Sequence, residues 1–437
     1  MKSIITAILR KFIYHISGIC PRTNKAVMGS YKNQFSDNAK YLYLHWQQTG
    51  TLRSIWISGD DTVINQLKKD GFEAYNRRSI RGIFHCLTAK YYFYNTYIGD
   101  INQYFAKGAT KVNLWHGSPL KKIEFDIKSG PLAPPYQNET QIQRWGNALK
   151  FHQQHVKPDL MLSPSLVVDS LFTSAFRLES EQLIRSGNPR TDYFKRYPEQ
   201  AKSISTLVNT QHDKVILYVP TWRDSSANHS VKSFDKNNKN KETNTPYDRA
   251  FDWPALSKQL VQNNQLFLVR FHPNEAHLGK RLNQYPNIID ISHWEDVYSI
   301  LQEIDLLITD QSSLFVDLLL HQTPILFYSF EQESMTEQPR EVYDYAENLP
   351  LVGEVFTHTI IDTRYRVHQF QALLDALNRD ESFHITPSVI NEYQLLRNIF
   401  WQPKMNDAFE NIESYLFSNK QQGNTNQSST DTANESN

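Results

Sequence analysis

Short, unbroken apolar runs alternate with helical patterns along the second half of the chain. The runs are Val215 to Val219, Leu266 to Phe271, Ile288 to Ile291, Leu306 to Thr309 and Ile325 to Tyr328. Trp253 to Val261, Glu295 to Gln302 and Ser313 to His321 carry the helical spacing between them. A strand apolar at every position is buried on both faces, and a parallel sheet covered by crossover helices supplies that environment. The first half repeats the pattern less regularly. Arg53 to Ser58, Tyr91 to Tyr94, Lys111 to Trp115 and Asp159 to Leu162 read as strands, and a helix through Lys69 stops near Gly71. The fold class expected is α/β, with two doubly wound domains facing a central cleft. A length of 437 residues suits that division. The boundary is expected near Gly187-Asn188-Pro189, a sharp turn read as a structural hinge.

Composition narrows the function. The formal net charge is zero, which gives no general attraction to nucleic acid, and none is expected as a partner. Cys20 and Cys86 form neither a C-x-x-C pair nor a metal-spaced set, so a reduced cytosolic setting is the simple reading. No apolar stretch reaches the ~18 residues of a spanning helix. Arg10 and Lys11 interrupt the apolar N-terminus and no small-residue cleavage site follows, so no signal peptide is expected. On a helix, Ile5, Ile8, Leu9, Phe12, Ile13 and Ile16 share one face, and Met1 to Ser36 holds six Lys/Arg and no Asp or Glu. Two readings stand: an interfacial helix drawn to anionic lipid, or an amphipathic helix packed on its own protein. Ser225 to Pro246, rich in Asn, Lys and Ser, reads as a loop. Gln421 to Asn437 reads as a disordered polar tail.

Open α/β sheets bind ligands beyond the carboxyl ends of their strands, and the polar residues that stand out fall there. Asn113 to Lys122 places His116 directly after a strand, where a histidine can serve as general base near neutral pH. Gly117 permits close approach of a ligand, and Lys121 and Lys122 suit phosphate. A lone histidine there is more often a buried, hydrogen-bonded one; the surrounding pattern argues otherwise. Tyr218 to Asp224 leaves a strand through Pro220 and presents Arg223, whose guanidinium fork suits phosphate oxygens; an ion pair with Asp224 is the plain alternative. Arg270-Phe271-His272-Pro273 brings Arg270 and His272 to one side of a strand end, with a merely solvated histidine as the alternative. Ile308 to Asp317 ends a strand at Asp310 and starts a helix near Ser312, so Ser312 and Ser313 add hydroxyls to free backbone N–H groups. Plain capping of the helix is the alternative, and Asp317 would then only complement the helix dipole. No phosphate loop, dinucleotide fingerprint, nucleophile elbow or zinc-protease motif occurs. His152 and His155 have no ligand partners at metal spacing, so no catalytic metal is expected.

Taken in order, W-H-G-S-P-L-K (115–121), G-N-P-R-T-D (187–192), Y-V-P-T-W-R-D (218–224), R-F-H-P (270–273) and I-T-D-Q-S-S-L-F-V-D (308–317) resemble the CDP-glycerol glycerophosphotransferase family. These are the teichoic-acid primases and polymerases and related capsule polymerases. The resemblance begins near Gly29-Ser30-Tyr31, includes Phe35-Ser36-Asp37-Asn38 and runs to about Pro350. It implies a GT-B fold of two Rossmann-like domains, a CDP-glycerol donor with no separate cofactor, and a lipid-linked polymer acceptor. It also implies peripheral attachment at the cytoplasmic membrane face. It further implies that His116 is the base, that His272, Ser312 and Ser313 contact donor phosphates, and that Asp317 is functionally important. The expected division is 1–25 as a membrane-associating segment, 26–186 as the acceptor domain and 187–385 as the donor domain. C-terminal helices follow over 386–420, and a tail over 421–437. Departures occur: Gln311 stands where Tyr is frequent, Ser118 for Thr, Asn188 for an aromatic, no Gly-Pro follows at Leu349-Pro350, and no Asp-Asp-Gly follows Phe383. They bear on the polyol and acceptor more than on the reaction class. Transfer from CDP-ribitol, single-unit priming, sugar transfer or epimerisation on the same fold, and a non-catalytic scaffold are the competing readings. The pairing of W-H-G with T-D-x-S-S disfavours the sugar-directed ones, and the intact His116, His272 and serine pair disfavour the scaffold.

Overall fold

The computed structural model describes residues 2–137, 140–221, 245–294, 296–330, 341–353, 365–402 and 407–425, excepting the side chains of 2–4 and 418–425. Two parallel sheets organise it. The first holds β1 (Thr23–Met28), β2 (Ser54–Ser58), β3 (Ala74–Asn76), β4 (Ala89–Tyr94), β5 (Thr110–Asn113), β6 (Leu160–Ser163) and β7 (Leu183–Arg185), in the order β3-β2-β1-β4-β5-β6-β7. The second holds β8 (Lys214–Val219), β9 (Gln265–Val269), β10 (Ile288–Asp290), β11 (Leu306–Thr309), β12 (Ile325–Tyr328) and β13 (Arg366–Val367), in the order β10-β9-β8-β11-β12-β13. Each order reverses beside its first strand, between β1 and β4 and between β8 and β11. Those two switch points are where a doubly wound sheet opens a crevice for ligand. The GT-B-like α/β architecture is thus two such sheets.

The strands behave as their composition requires. Every residue of β2, β9, β11 and β12 is buried, because helices cover both faces. Leu217, Leu268 and Leu307 pack on one side of the second sheet with Phe315 and Phe400, while Ile216, Phe267 and Ile308 pack on the other with Trp253 and Leu256. That alternation assigns successive side chains to two cores, each worth about 25 cal/mol per Å² of apolar surface removed from water.

The boundary lies beyond the glycine turn. The helix Pro189–Arg196 still belongs to the first unit, since Tyr193 and Phe194 pack in its core, and Ile204 is the first side chain after that helix in the core of the second. The chain also returns. Tyr393, Leu396 and Phe400 of the helix Ile390–Phe400 bury in the second unit, whereas Phe409, Ile412 and Leu416 of the helix Ala408–Thr425 bury in the first. Asp192 accepts a hydrogen bond from the Ala408 amide at 3.1 Å and so receives that helix at its start.

The N-terminal helix runs Lys2–Ile16 and β1 begins at Thr23, inside the segment assigned to the membrane. Tyr14 and Ser17 are buried, while Ile5, Ile8, Leu9, Phe12 and Ile16 are 45–65% exposed. The apolar face therefore points outward, opposite to a helix packed by that face on its own protein. No described helix is long and apolar enough to cross a membrane. The Asn-rich loop around 225–244 and most of the C-terminal tail lie outside the described residues.

Candidate active site

His116 leaves β5 through Leu114 and Trp115, and its imidazole is exposed. Nδ1 lies 3.1 Å from the Asn95 carbonyl oxygen at the end of β4. A carbonyl can only accept, so Nδ1 carries the proton in the neutral ring and Nε2 is the basic nitrogen. The Trp115 ring stands 4.4 Å from the imidazole, centroid to centroid. Asn38, fully buried, donates from Nδ2 to the Leu114 and Trp115 carbonyls at 3.1 and 3.0 Å and accepts from the Arg190 amide at 3.2 Å. Buried polar groups held on both sides this way fix a loop without a regular ladder.

Gly117 explains how two domains close over one point. Its φ is +152°, and a Cβ there would stand 3.1 Å from the Ser313 hydroxyl and 3.8 Å from the Arg190 guanidinium. Only a residue without a side chain lets the His116 loop of the first unit touch the Ser313 loop of the second.

Ser312 and Ser313 follow β11 at its carboxyl end, but the helix they open is short. It spans Leu314–Leu318, and tighter turns close the chain to His321. A five-residue helix has little dipole, so the expected phosphate site reduces to local N–H and hydroxyl donors. Neither serine is a strong cap: Ser313 makes no side-chain cap bond, and Ser312 accepts from Leu314 N only at 3.4 Å. Asp310 instead secures the loop, accepting from the Thr221 and Gln311 amides at 2.7 and 2.6 Å. That ties the exit of β8 to the exit of β11 across the switch point. Arg223 lies outside the described residues.

Asp317 is 2% exposed and enclosed. Its Oδ2 pairs with Arg190 Nη2 at 2.9 Å and accepts from the Tyr298 hydroxyl at 2.7 Å. Arg190, itself 3% exposed, also reaches Asp37 at 2.8 Å. Burial alone would lower the Arg190 pKa, but Asp317, Tyr298 and Asp37 hold it well above its ordinary value. Enclosed in this way, Asp317 holds Arg190, whose guanidinium stands beside the Gly117 turn. From sequence the turn that carries Arg190 reads as a hinge; the structure makes it the centre of an ion-pair cluster. The signal was the arginine inside G-N-P-R-T-D, and its partners Asp37 and Asp317 are 153 and 127 residues away.

His272 follows β9 and is exposed, and its Nδ1 accepts from the Asn274 amide at 3.2 Å. The proton of the neutral ring therefore sits on Nε2, the reverse of His116. Partial burial, then the Lys32 ammonium, lower its pKa. Lys32, after β1, bonds Asn274 at 2.9 Å across the domains. Arg270 does not join His272: its guanidinium donates to the Ile291 and Trp294 carbonyls at 3.2 and 2.9 Å. Lys121 forms a backbone bridge to Val342, and Lys122 pairs with Glu341 at 3.0 Å. These lysines lie in an interdomain strap, and Lys122 is committed to an ion pair rather than to phosphate. No group of metal-ligating side chains occurs among the described residues.

Residues 12–360 match the family model for CDP-glycerol:poly(glycerophosphate) glycerophosphotransferase. The chain is 28% identical to the teichoic acid glycerol-phosphate transferase of Staphylococcus aureus (strain NCTC 8325 / PS 47), over 84% of this chain and 85% of that one. It is 29% identical to the teichoic acid poly(glycerol phosphate) polymerase of Bacillus spizizenii (strain ATCC 23059 / NRRL B-14472 / W23), over 76% and 80%. Its fold is similar to that of a variant of the wall teichoic acid polymerase TagF, with a TM-score of 0.70 at 21% identity, covering 96% of this chain and 93% of that one.

Proposed function

The chain belongs to the CDP-glycerol:poly(glycerophosphate) glycerophosphotransferase family, and from that premise we propose that it transfers glycerol phosphate from CDP-glycerol to a hydroxyl of a lipid-linked acceptor or growing polymer, releasing CMP. The observation that carries the reading is the meeting of the His116–Gly117 loop with Ser313 between the two switch points. Nε2 of His116 takes the proton of the acceptor hydroxyl. The oxygen attacks the phosphorus that bears glycerol, the bond from that phosphorus to the bridging oxygen breaks, and its electron pair leaves with CMP. Such transfers need alignment and charge dispersal rather than covalent help from the protein. His272 supplies an Nε2–H donor, and Ser312 and Ser313 supply hydroxyls and amides, to the pyrophosphate oxygens. Gly117 keeps acceptor and donor loops in contact, and Lys121 and Arg223 remain candidate phosphate partners.

Attachment to anionic membrane at the cytoplasmic face is supported by the outward apolar face of the N-terminal helix. Its cations contribute less than their number suggests. Arg22 donates to the Cys86 and Phe105 carbonyls at 2.8 and 2.9 Å, Lys25 is buried against His85, and Arg10 caps the Leu149 and Lys150 carbonyls.

Incubation with CDP-glycerol, CDP-ribitol and UDP-sugars, scoring CMP or UDP release with a lipid acceptor, tests the reading. CMP from CDP-glycerol and a product heavier by one glycerol phosphate per turn are expected. Release of UDP, or turnover of CDP-ribitol alone, would overturn it.

A further inference from the structure

A cavity of about 280 Å³ opens in the first unit, away from the Gly117–Ser313 contact. Tyr94 and Thr96 at the end of β4 and Asn113 at the end of β5 line it. Asn95, between the first two, is the residue whose carbonyl holds His116 Nδ1, so the cavity lining flanks the residue that fixes that ring. Arg144, Lys157 and Arg177 also line it, and among the described residues no Asp or Glu does. None of these three cations makes an ion pair among the described residues. Two acids beside the lining already have partners: Glu124 accepts from the lining Tyr97 at 2.6 Å, and Asp159, next to Pro158, pairs with Lys111 at 2.6 Å. Arg177 sits at a helix C-cap with φ of +55°, a place glycine fills without strain, and its guanidinium lies 3.8 Å from the Phe125 ring centroid. Tyr94 is 1% exposed, and its hydroxyl is buried without a hydrogen-bond partner. An orphaned buried hydroxyl is unfavourable unless something fills the site.

The outer wall is the helix Gln141–Lys150. Arg144 and Ala148, one turn apart, face the cavity, while Ile142 and Trp145 are 84% and 67% exposed. That helix lies against the N-terminal one, through Arg10. One helix thus lies between an outward apolar surface and a cavity whose three cations, all solvent-exposed, stand at its mouth. We propose that this cavity binds the phosphodiester of the acceptor, one unit back from the attacking hydroxyl, as the acceptor arrives from the lipid surface. The inference rests on the transfer reaction proposed above and adds the acceptor's phosphate subsite to it.

The test uses the full chain and dihexanoyl phosphatidylglycerol below its micelle concentration, with monohexanoylglycerol as the uncharged control. The phosphodiester should show a KM about tenfold or more below the control, as one or two charge-assisted bonds imply. Arg144→Gln/Lys157→Gln/Arg177→Gln should erase that difference and leave the KM for CDP-glycerol unchanged. Tyr94→Phe should raise the acceptor KM severalfold with no fall in Tm, and Ala148→Trp should occlude the site. Direct titration of the same probe reads the cavity without turnover, so a failure of CDP-glycerol as donor stays distinguishable. An affinity and KM unmoved by the triple substitution would overturn the proposal. So would loss of phosphatidylglycerol-vesicle binding alone, which would assign the three cations to the membrane surface.

Discussion

One backbone group each gives His116 and His272 opposite tautomers. The Asn95 carbonyl puts the His116 proton on Nδ1, and the Asn274 amide puts the His272 proton on Nε2. In the proposed reaction, base and donor would follow from those contacts and not from the residue type. His116→Ala should therefore lower kcat by about 10² to 10⁴ with little change in donor affinity, read by single-turnover CMP release. Wild-type turnover in a folded variant would remove His116 from the chemistry. Arg190 acts differently, through Asp37 and Asp317. Arg190→Met leaves the Asp317 carboxylate buried and unpaired, which should cost about 3–5 kcal/mol in denaturant unfolding. A loss under 1 kcal/mol would mean that the pair is not what holds the Ser313 turn.

At the scale of elements, the N-terminal helix is docked by its polar side and presents its apolar side. Ile5→Ser/Leu9→Ser/Phe12→Ser should abolish vesicle co-sedimentation while leaving the fold intact, since each side chain buried in lipid contributes roughly 1.5–3 kcal/mol. Salt should matter little, because Arg10, Arg22 and Lys25 are spent on protein groups; strong salt sensitivity would contradict that. The docking itself should fail in acid. His152 packs 4.8 Å from the Tyr14 ring, its Nε2 faces the Gln103 carbonyl at 3.2 Å, and its Nδ1 is buried without a partner. Burial first, then Lys11, bring its pKa down to about 4 from 6.5. Below 6.5 the unfolded chain takes up a proton that the folded one resists, so stability present at neutral pH is lost as pH falls from 6.5 towards 4. His152→Phe should flatten the fall in Tm between pH 7 and 5, and an unchanged slope would assign the acid sensitivity elsewhere.

The whole molecule is held closed by more than one kind of contact. Lys40 pairs with Asp296 at 2.6 Å, and Lys122 with Glu341 at 3.0 Å. Tyr343 N bonds the Leu120 carbonyl at 3.0 Å, and the Leu120 side chain buries in the second unit's core. The returning C-terminal helix completes the first unit's core from the far end of the chain. Phe409 is fully buried and stacks 4.1 Å from His45. Phe409→Ala should cost about 3–5 kcal/mol and split calorimetric unfolding into two transitions, the first unit melting earlier. A single transition shifted as a whole would show that the interdomain contacts dominate.

Much of this was legible in the chain alone. Unbroken runs such as Leu306 to Thr309 can only be interior strands, because no solvated face would tolerate them. The polar residues at their ends mark a ligand edge for the same reason. The strands β1, β3, β7 and β13 escaped that reading. Thr23-Asn24-Lys25 opens β1 with polar residues, and the other three span two or three positions, too few to show a period. The helix is Leu314–Leu318 and not Ser313 to His321, because spacing of apolar residues does not reveal where hydrogen bonding tightens. The outward turn of the N-terminal helix, the return of Phe409 and the pairing of Arg190 with Asp37 and Asp317 belong to tertiary structure alone. Local sequence determines which side chains need burial or a partner. Which distant segment satisfies them is decided only when the whole chain closes, since contacts more than a hundred residues apart leave no period and no spacing to read.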